Sequence, residues 1–371
     1  MLPSSVGDGR ASAFAIAARS MDMPGAIGRA GTPAKSRQRS TIIDVARHAG
    51  VSPATVSRAL SHPEIVHRET LERVRSAVSD LAYVRDGTGR ALVSGRTHTV
   101  GIVVPTLSHS IFAVAIDAMQ TTLADAGYQL IVASHEYDPK TEIDAVRALV
   151  ERGVDALLLV GTDHARGLWR ILDSVTIPVV LTWSLHKRID SIGFDNAKAG
   201  RLAAEHLLSL GHRHFALISG HLLHNDRARA RLKGVRSALE AAGIDPSTLR
   251  VVEESFGLAG GRGAMSELLG GSREQPTAVI GGNDLMAIGG MFEAQSRRLD
   301  VPGDISFVGI DDLELSAHVR PGLTSVHLPT SMLGKVAAEQ VLRRLADEDH
   351  SQRVELPIRL VVRASAGPAP D

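Results

Sequence analysis

The sequence predicts a small all-α head joined to a larger α/β body of two doubly wound parallel-sheet lobes. Three observations predict this organisation. The chain has 371 residues, more than one ordinary hydrophobic core holds. Residues 41–60 have the pattern of two short capped helices, and from residue 100 onward short β-rich runs alternate with helical ones. Near-continuous apolar strands separated by helices are typical of parallel sheets covered on both faces.

The composition excludes several classes of protein. The chain contains no cysteine, which excludes disulfides, thiolate metal sites and a cysteine nucleophile. Its near-zero mean hydropathy is typical of a globular protein, and no apolar run is long enough for a membrane span. We therefore expect no membrane partner and a cytoplasmic location, with which the lack of cysteine is consistent.

Charge is unevenly distributed along a chain whose formal net charge is zero. Residues 1–98 contain 14 Lys or Arg and 8 Asp or Glu, so the remainder carries the acidic surplus. A basic front on an acidic body favours phosphate binding while the body repels non-specific contact. The asymmetry is modest, and alone it is a weak indication.

The first 38 residues have no helical or strand periodicity. They are rich in Gly, Ala, Ser and Arg, so we predict that residues 1–38 form a disordered extension. Residues 10–18 weakly resemble a signal peptide, but their apolar part is short. Met1, Met21 and Met23 are alternative translation starts.

Residues 41–60 predict two short helices joined by a tight turn. Thr41 is positioned to cap the first helix, and Gly50 to end it in the left-handed conformation. Ser52 is positioned to cap the second helix, with Pro53 at its first position, where a missing N–H costs nothing.

The second of these helices shows small polar groups and one arginine. Val56 and Leu60 fall on one face, and the outward positions hold Ala54, Thr55, Ser57 and Arg58. A third amphipathic helix is spaced to cover the first two through Leu71, Val74, Val78 and Leu81. This pattern indicates a helix-turn-helix, whose second helix fits a major groove. An ordinary helical hairpin is the alternative.

Residues 51–58, VSPATVSR, and 81–83, LAY, closely resemble the DNA-binding head of the LacI/GalR repressor family. The resemblance extends along nearly all of residues 40–364. It implies a dimeric transcription repressor that binds a palindromic operator and is controlled by a small-molecule effector, without enzymatic activity, cofactor or metal ion. The exposed face and the resemblance together assign DNA contacts to Thr41, Ser52, Pro53, Ala54, Thr55, Ser57, Arg58 and Tyr83.

The segment after the head departs from the family pattern. In the family this hinge becomes helical on DNA and inserts a leucine into the minor groove, a position that Leu92 matches. Arg85 and Asp86 replace the usual Pro and Asn, and Gly87 and Gly89 each cost about 1 kcal/mol within a helix. We expect a weak hinge helix that DNA and the partner subunit stabilise. The alternative is a flexible linker in which Leu92 makes no contact with DNA.

The alternating part of the chain predicts eleven or so strands in two similar lobes. The strand candidates are residues 100–104, 129–133, 156–160, 179–182, 215–219, 278–281 and 305–310, and helical periodicity covers residues 112–126, 198–210 and 229–242. The resemblance implies a periplasmic-binding-protein-like body with three crossovers. The implied segments are a head of 39–84, a hinge of 85–97, a first lobe of 98–195 plus 327–353, a second lobe of 196–326 plus 354–364, and a tail of 365–371.

Polar residues follow two of the predicted strands, where parallel sheets place their ligands. These are Asn283 with Asp284, and Asp311 with Asp312; simple capping of the next helix is the alternative for both Asp284 and Asp311. The resemblance assigns effector contacts to Arg231, Asn283, Asp311 and Phe256, and more weakly to His109, Phe112 and Asp195. We expect a sugar or sugar acid, because Arg227, Arg229 and Arg231 could meet a carboxylate.

Two other functions remain open at this point. One is an exported sugar-binding protein of the same body fold, and the other is a sugar-acting enzyme of that fold. Glycines in residues 257–263 superficially resemble a phosphate loop, but a turn before a helix fits their spacing better. The chain carries no leucine heptads near its end, so we expect a homodimer.

Overall fold

The computed structural model describes residues 40–84, 95–108, 110–270, 275–348 and 351–370. It confirms the predicted fold class, an all-α head followed by an α/β body of two parallel-sheet lobes. The chain divides into two units between Arg85 and Asp86. No helix among the described residues is long and apolar enough to cross a membrane. The predicted disorder of residues 1–38 and the hinge leucine Leu92 lie outside the described residues.

The head is built from α1 (Ile42–Ala49), α2 (Pro53–Ser61) and α3 (Arg68–Asp80). The predicted caps are present. The hydroxyl of Thr41 accepts from the Asp44 amide at 3.3 Å, and the Asp44 carboxylate accepts from the Thr41 amide at 2.9 Å. Gly50 ends α1 with φ of 64°, and the Ser52 hydroxyl accepts from the Thr55 amide at 3.1 Å.

The three helices enclose a small core of short side chains. Val45, Val56 and Val74 have no exposed surface, and Leu71, Val78 and Leu81 pack around them. The apolar face predicted for the third helix therefore covers the first two helices, as expected.

The first lobe of the body is a six-stranded parallel sheet with the order β11-β5-β4-β3-β1-β2. Its strands are β1 (Thr99–Val104), β2 (Gln129–Ser134), β3 (Ala156–Val160), β4 (Val179–Trp183), β5 (Asp190–Gly193) and β11 (Arg353–Glu355). One face carries α4 (Ser110–Asp125) and α12 (Thr330–Leu345), and the other carries α5 (Pro139–Glu151) and α6 (Arg166–Ser174). Along β1, Ile102 packs on the first face and Val103 on the second, which explains the continuous apolar run.

The second lobe repeats this plan with the strand order β12-β10-β9-β8-β6-β7. Its strands are β6 (Phe215–Ser219), β7 (Arg250–Glu253), β8 (Ala278–Gly281), β9 (Ser306–Asp311), β10 (Thr324–His327) and β12 (Arg359–Val361). Only the pairing of β12 with β10 is antiparallel among the described strands. The helices are α7 (Asn196–Ser209) and α8 (Asp226–Ala241) on one face, with α9 (Leu258–Gly270) and α10 (Asp284–Ser296) on the other, and the short α11 (Glu314–His318) follows β9.

The two sheets shift some of the predicted segment boundaries. His327 belongs to β10 of the second lobe, and β11 keeps residues 354 and 355 in the first lobe. The predicted tail, residues 365–371, is hydrogen-bonded to the second lobe in its described part. The Ser365 carbonyl accepts from the Phe307 amide at 2.8 Å, and the Ala369 amide donates to the Leu210 carbonyl at 2.9 Å. The tail supplies hydrogen bonds that the start of β9 does not receive from β10.

Two glycines bring the backbones of α7 and α8 into direct contact. A Cβ on Gly234 would lie 1.8 Å from the Ala197 carbonyl oxygen, and one on Gly200 would lie 2.0 Å from the carbonyl oxygen of Arg231. Any side chain at either position would push the two helices apart. The position of Arg231 therefore depends on the absence of side chains at these two glycines.

We predict that Gly234→Ala destabilises the protein by about 1–3 kcal/mol, because α8 must move away from α7. The matched control is Gly263→Ala in α9, where the added Cβ would have its nearest neighbour, Glu254 Oε1, at 3.5 Å. The control should stabilise by about 0.5–1 kcal/mol, the usual helical preference for alanine. Urea unfolding of both variants measures the difference, and changes of the same sign would contradict this packing.

Candidate functional site

A cavity lies between the lobes, where the carboxyl ends of the strands in both sheets meet. The space among its lining residues, including the part open to solvent, is about 550 Å³. The first lobe contributes Ile111, Phe112, Tyr137 and Trp183. The second lobe contributes Leu217, Ser219, Gly220, Asn225, Arg227, Ala228, Arg231, Phe256, Gly282, Asn283 and Asp311. The structure therefore brings together five of the predicted effector residues: Arg231, Asn283, Asp311, Phe256 and Phe112.

Arg231 is the most highly connected of these side chains. Its Nε donates to the Asn196 side chain at 3.2 Å, and its Nη1 donates to the Gly282 carbonyl oxygen. Its Nη2 lies 3.8 Å from Asp311 Oδ1, too far for a hydrogen bond. Burial lowers the pKa of Arg231, and a negative charge on Asp311 opposes that change.

Asp311 is the last residue of β9, and one of its carboxylate oxygens lacks a hydrogen-bond partner among the described residues. Its φ of 128° is unusual for a residue other than glycine and turns the chain sharply out of the strand. Asp311 is 6% exposed, and its Oδ1 has no hydrogen-bond partner among the described residues. Burial raises the pKa of Asp311 to about 8, although Arg231 partly opposes the rise. The capping alternative for Asp311 is wrong, because the next helix begins at Glu314 without a side-chain cap.

Asn283 and Asp284, at the end of β8, have different roles. Asn283 caps α10 through its side-chain oxygen, which accepts from the Met286 amide at 2.8 Å, and it also lines the cavity. Asp284 neither caps this helix nor lines the cavity. Its carboxylate accepts from the Leu313 amide and from the hydroxyls of Ser316 and Ser325. Asp284 thus holds the turn that positions Asp311.

Aromatic rings of the two lobes meet at the cavity. Tyr137 of the first lobe stacks on Phe256 of the second, with ring centroids 5.3 Å apart and planes 14° from parallel. Phe112 packs against Trp183 at 5.0 Å. Trp183 is buried, and its Nε1 has no hydrogen-bond partner among the described residues. The stacked pair of Tyr137 and Phe256 brings the two lobes into contact.

Direct contacts also join the lobes at the edge of the cavity. The Asp226 carboxylate accepts from the amide and the hydroxyl of Thr162 at 3.0 and 2.9 Å. Arg229 donates to Asp163 at 2.6 Å. Arg227, in contrast, is buried in the cavity wall and bonds to Asp226 at 2.8 Å. The N-terminus of α8 therefore serves both the lobe contact and the cavity.

Not every predicted effector residue lies at the cavity. Asp195 is the N-cap of α7, since its carboxylate accepts from the Lys198 amide at 2.8 Å. Asp195 does not line the cavity, so its prediction as an effector contact is corrected here. The neighbouring Asn196 instead accepts a hydrogen bond from Arg231. His109 lies outside the described residues. Sequence reasoning missed Tyr137, Trp183 and Asn225, and named Arg227 only as one of three candidate arginines.

The candidate nucleic-acid interface of the head is the face of α2. Ser52, Pro53, Ala54 and Arg58 are exposed, and Thr55 and Ser57 are half-buried. The hydroxyls of Thr41 and Ser52 are engaged in the caps of α1 and α2. Tyr83 packs partly against the head core. The structure therefore presents a short polar helix with one arginine, as the pattern predicted.

Comparison with known proteins agrees with both parts of this geometry. Residues 41–86 match the bacterial regulatory proteins of the lacI family, and residues 204–366 match a periplasmic binding protein-like domain. The HTH-type transcriptional repressor PurR of Vibrio atlanticus (strain LGP32) is 34% identical over 332 residues, which cover 88% of this chain and 98% of that repressor. The chain belongs to the LacI family of transcriptional regulators.

Solved structures of the family are similar in fold. A structure of the lac repressor dimer bound to operator and the anti-inducer ONPF has a TM-score of 0.79 and 27% identity, covering 89% of this chain and 100% of that one. A LacI family regulator from Enterococcus faecium with bound ribose has a TM-score of 0.66 and 26% identity, covering 73% of this chain and 99% of that one.

Family membership decides between the functions left open by the sequence. The protein is a DNA-binding transcriptional regulator of the repressor type and is not an enzyme. An exported sugar-binding protein would not carry the head that matches residues 41–86. The glycines of residues 257–263 lie at the start of α9, where Gly260 and Gly261 allow close packing against neighbouring backbone.

We predict that Asp311 makes the ligand-free protein less stable as the pH rises. Its pKa is raised from 3.8 to about 8, so between these values the folded chain keeps a proton that the unfolded chain releases. Stability is then lost across this range, by up to about 1.4 kcal/mol per pH unit. The free energies of unfolding of wild type and Asp311→Asn are measured in urea at pH 5, 6, 7 and 8. The value for the variant, relative to that of wild type, should increase as the pH rises. Parallel pH profiles would contradict the raised pKa.

Proposed function

We propose that the protein is a dimeric repressor that binds a palindromic operator through α2 and is controlled by a sugar or sugar acid in the cavity between its lobes. The observation that carries the effector part is the unpartnered Asp311 Oδ1 beside the half-buried Arg231. A buried acceptor without a partner costs free energy, and a ligand hydroxyl would supply the missing donor. The regulator with bound ribose supports a sugar-type ligand at this fold.

The DNA-binding part rests on the surface of the head. Arg58 is exposed on α2, beside the small residues Pro53 and Ala54, which leave room for close approach to a groove. Arginine is the side chain that most often binds guanine specifically. Thr41, Ser52, Thr55, Ser57 and Tyr83 complete the proposed contact set through the helix ends and the adjoining loop.

Control by the effector requires that ligand binding changes the relation of the two lobes. The cavity takes residues from both lobes, so a ligand that contacts both favours closure. In this proposal closure changes the spacing of the two hinges in a dimer, as Leu92 of each subunit enters the minor groove. The structure of the lac repressor dimer bound to operator supports the part of this proposal in which a dimer binds the operator. Such a regulator acts where the chromosome is, in the cytoplasm.

We predict that Arg58→Ala weakens specific operator binding by about 1–3 kcal/mol. The operator is first selected from a random DNA library with the full chain, and should be a palindrome. The matched control is Arg68→Ala, an arginine of α3 that pairs with Glu72 at 3.0 Å and lies off the α2 face. The control should retain specific binding. Equal affinity of wild type and Arg58→Ala for the selected site would remove Arg58 from the interface.

A further inference from the structure

The wall of the cavity has more hydrogen-bond donors than acceptors. Asn225 and Asn283 cap α8 and α10 with their side-chain oxygens, at 3.2 Å from the Ala228 amide and 2.8 Å from the Met286 amide. A cap requires the oxygen, so each side chain is left with its NH2 group as the polar group that can face a ligand. Both residues are buried and line the cavity.

Three further side chains add donors to the same wall. Trp183 Nε1 is buried without a partner among the described residues. The guanidinium groups of Arg227 and Arg231 can only donate. On the acceptor side, the lining side chains are Asp311, the hydroxyl of Tyr137, which is hydrogen-bonded with Arg227, and the hydroxyl of Ser219, which already donates to the Gly220 carbonyl at 2.8 Å. A ligand that satisfies this wall must therefore be rich in acceptors.

The electrostatics of the wall point in the same direction. The N-termini of α8 and α10 both reach the cavity through their capping residues, and helix N-termini favour negative charge. Among the lining residues Asp311 is the one carboxylic acid, and its raised pKa leaves it largely protonated near neutral pH. The carboxylate of Asp226 is already occupied by Thr162 and Arg227. Arg227 and Arg231 thus face the cavity with Asp311 as the one carboxylic acid among the lining residues.

The aromatic residues argue against a flat heteroaromatic ligand. Phe256 stacks on Tyr137, and its ring edge fills the space that a Cβ on Gly220 would occupy. Phe112 and Trp183 are packed on each other. A planar base would have to separate one of these ring pairs before it could stack.

From this wall we infer that the effector is a sugar acid, a polyhydroxylated carboxylate rather than a neutral sugar or a planar base. The carboxylate lies against Arg227 and Asn225 at the N-terminus of α8. A hydroxyl at the other end donates to Asp311 beside Arg231. This inference rests on the proposed function and narrows its ligand from sugars in general to the acidic ones.

The first experiment compares acids with their neutral counterparts. Thermal unfolding of the full chain is followed with D-gluconate, D-galactonate and D-glucuronate, and with D-glucose, D-galactose and hypoxanthine at equal concentration. At least one acid should raise Tm, since binding to the folded state alone stabilises it, and its affinity should exceed that of the matched neutral sugar more than tenfold. Binding of a neutral sugar or of hypoxanthine without an acid overturns the inference, as does the absence of any shift with all three acids.

The second experiment changes the charge of the wall without removing a helix cap. Asn225→Asp keeps a good N-cap but replaces the NH2 donor with a second carboxylate oxygen. It should weaken binding of the acid found above more than tenfold without lowering the Tm of the ligand-free protein. Arg227→Gln should show a similar loss. The matched control is Arg236→Gln on the exposed side of α8, which should change affinity less than twofold.

The outcomes distinguish a failure of the sugar-acid inference from a failure of the proposed DNA-binding function. Unchanged acid affinity in Asn225→Asp and Arg227→Gln overturns the placement of the carboxylate. If the acids fail but the chain still binds its selected palindrome, the ligand class is wrong and the regulator stands. Loss of sequence-specific DNA binding by the unmodified chain would instead overturn the proposed function itself.

Discussion

Arg231 faces the cavity, and its guanidinium contacts the second lobe directly and the first lobe through Asn196. Nε binds Asn196, whose amide nitrogen in turn donates to the Trp183 carbonyl of the first lobe at 2.9 Å. Nη1 binds the loop after β8, and Nη2 faces the unpartnered oxygen of Asp311. A buried guanidinium is costly unless its donors are engaged, so these contacts fix the geometry of the cavity floor. A ligand that binds Asp311 therefore lies beside a side chain whose position these contacts hold.

The backbone that carries Arg231 is held by close helix packing. Without side chains at Gly200 and Gly234, α7 and α8 approach until backbone atoms touch, and Asn196 at the start of α7 comes within reach of α8. Helix interfaces with ordinary side chains keep axes about 8–10 Å apart. The same packing directs the N-terminus of α8 to the Thr162 and Asp163 loop of the first lobe. Two glycines thus set both the cavity floor and its edge.

The sequence predicted the parts of the molecule that depend on local patterns. Caps at Thr41 and Ser52, the strands of continuous apolar residues and the polar ends of β8 and β9 all follow from short-range rules, and they are found. The missed strands, among them β5, β10 and β12, are only three or four residues long, so periodicity is weak there. Asp195 was misassigned because a capping carboxylate and a ligand carboxylate look alike in a sequence.

The missed cavity residues depend on tertiary structure. Tyr137 reaches the cavity because Glu136 and Tyr137 adopt left-handed backbone conformations, with φ of 47° and 60°, which no local motif announces. Trp183 likewise turns inward with φ of 64°. Arg227, Arg229 and Arg231 are equivalent in the sequence, yet only Arg227 and Arg231, one helical turn apart, face the cavity, while Arg229 pairs with Asp163. The position of the first lobe therefore determines which of these arginines is available to a ligand.

The contacts between the lobes limit what an effector can do. Asp226 with Thr162, Arg229 with Asp163 and Tyr137 with Phe256 join the lobes through protein groups alone. A ligand shifts the lobe equilibrium only by the difference between its affinities for the closed and open arrangements. Because Asp311 and Asn283 belong to the second lobe alone, contacts there add affinity with little preference between arrangements. The switching free energy must then come from ligand contacts that reach the first lobe, where Trp183 Nε1 offers the one unpartnered buried donor found among the described lining residues.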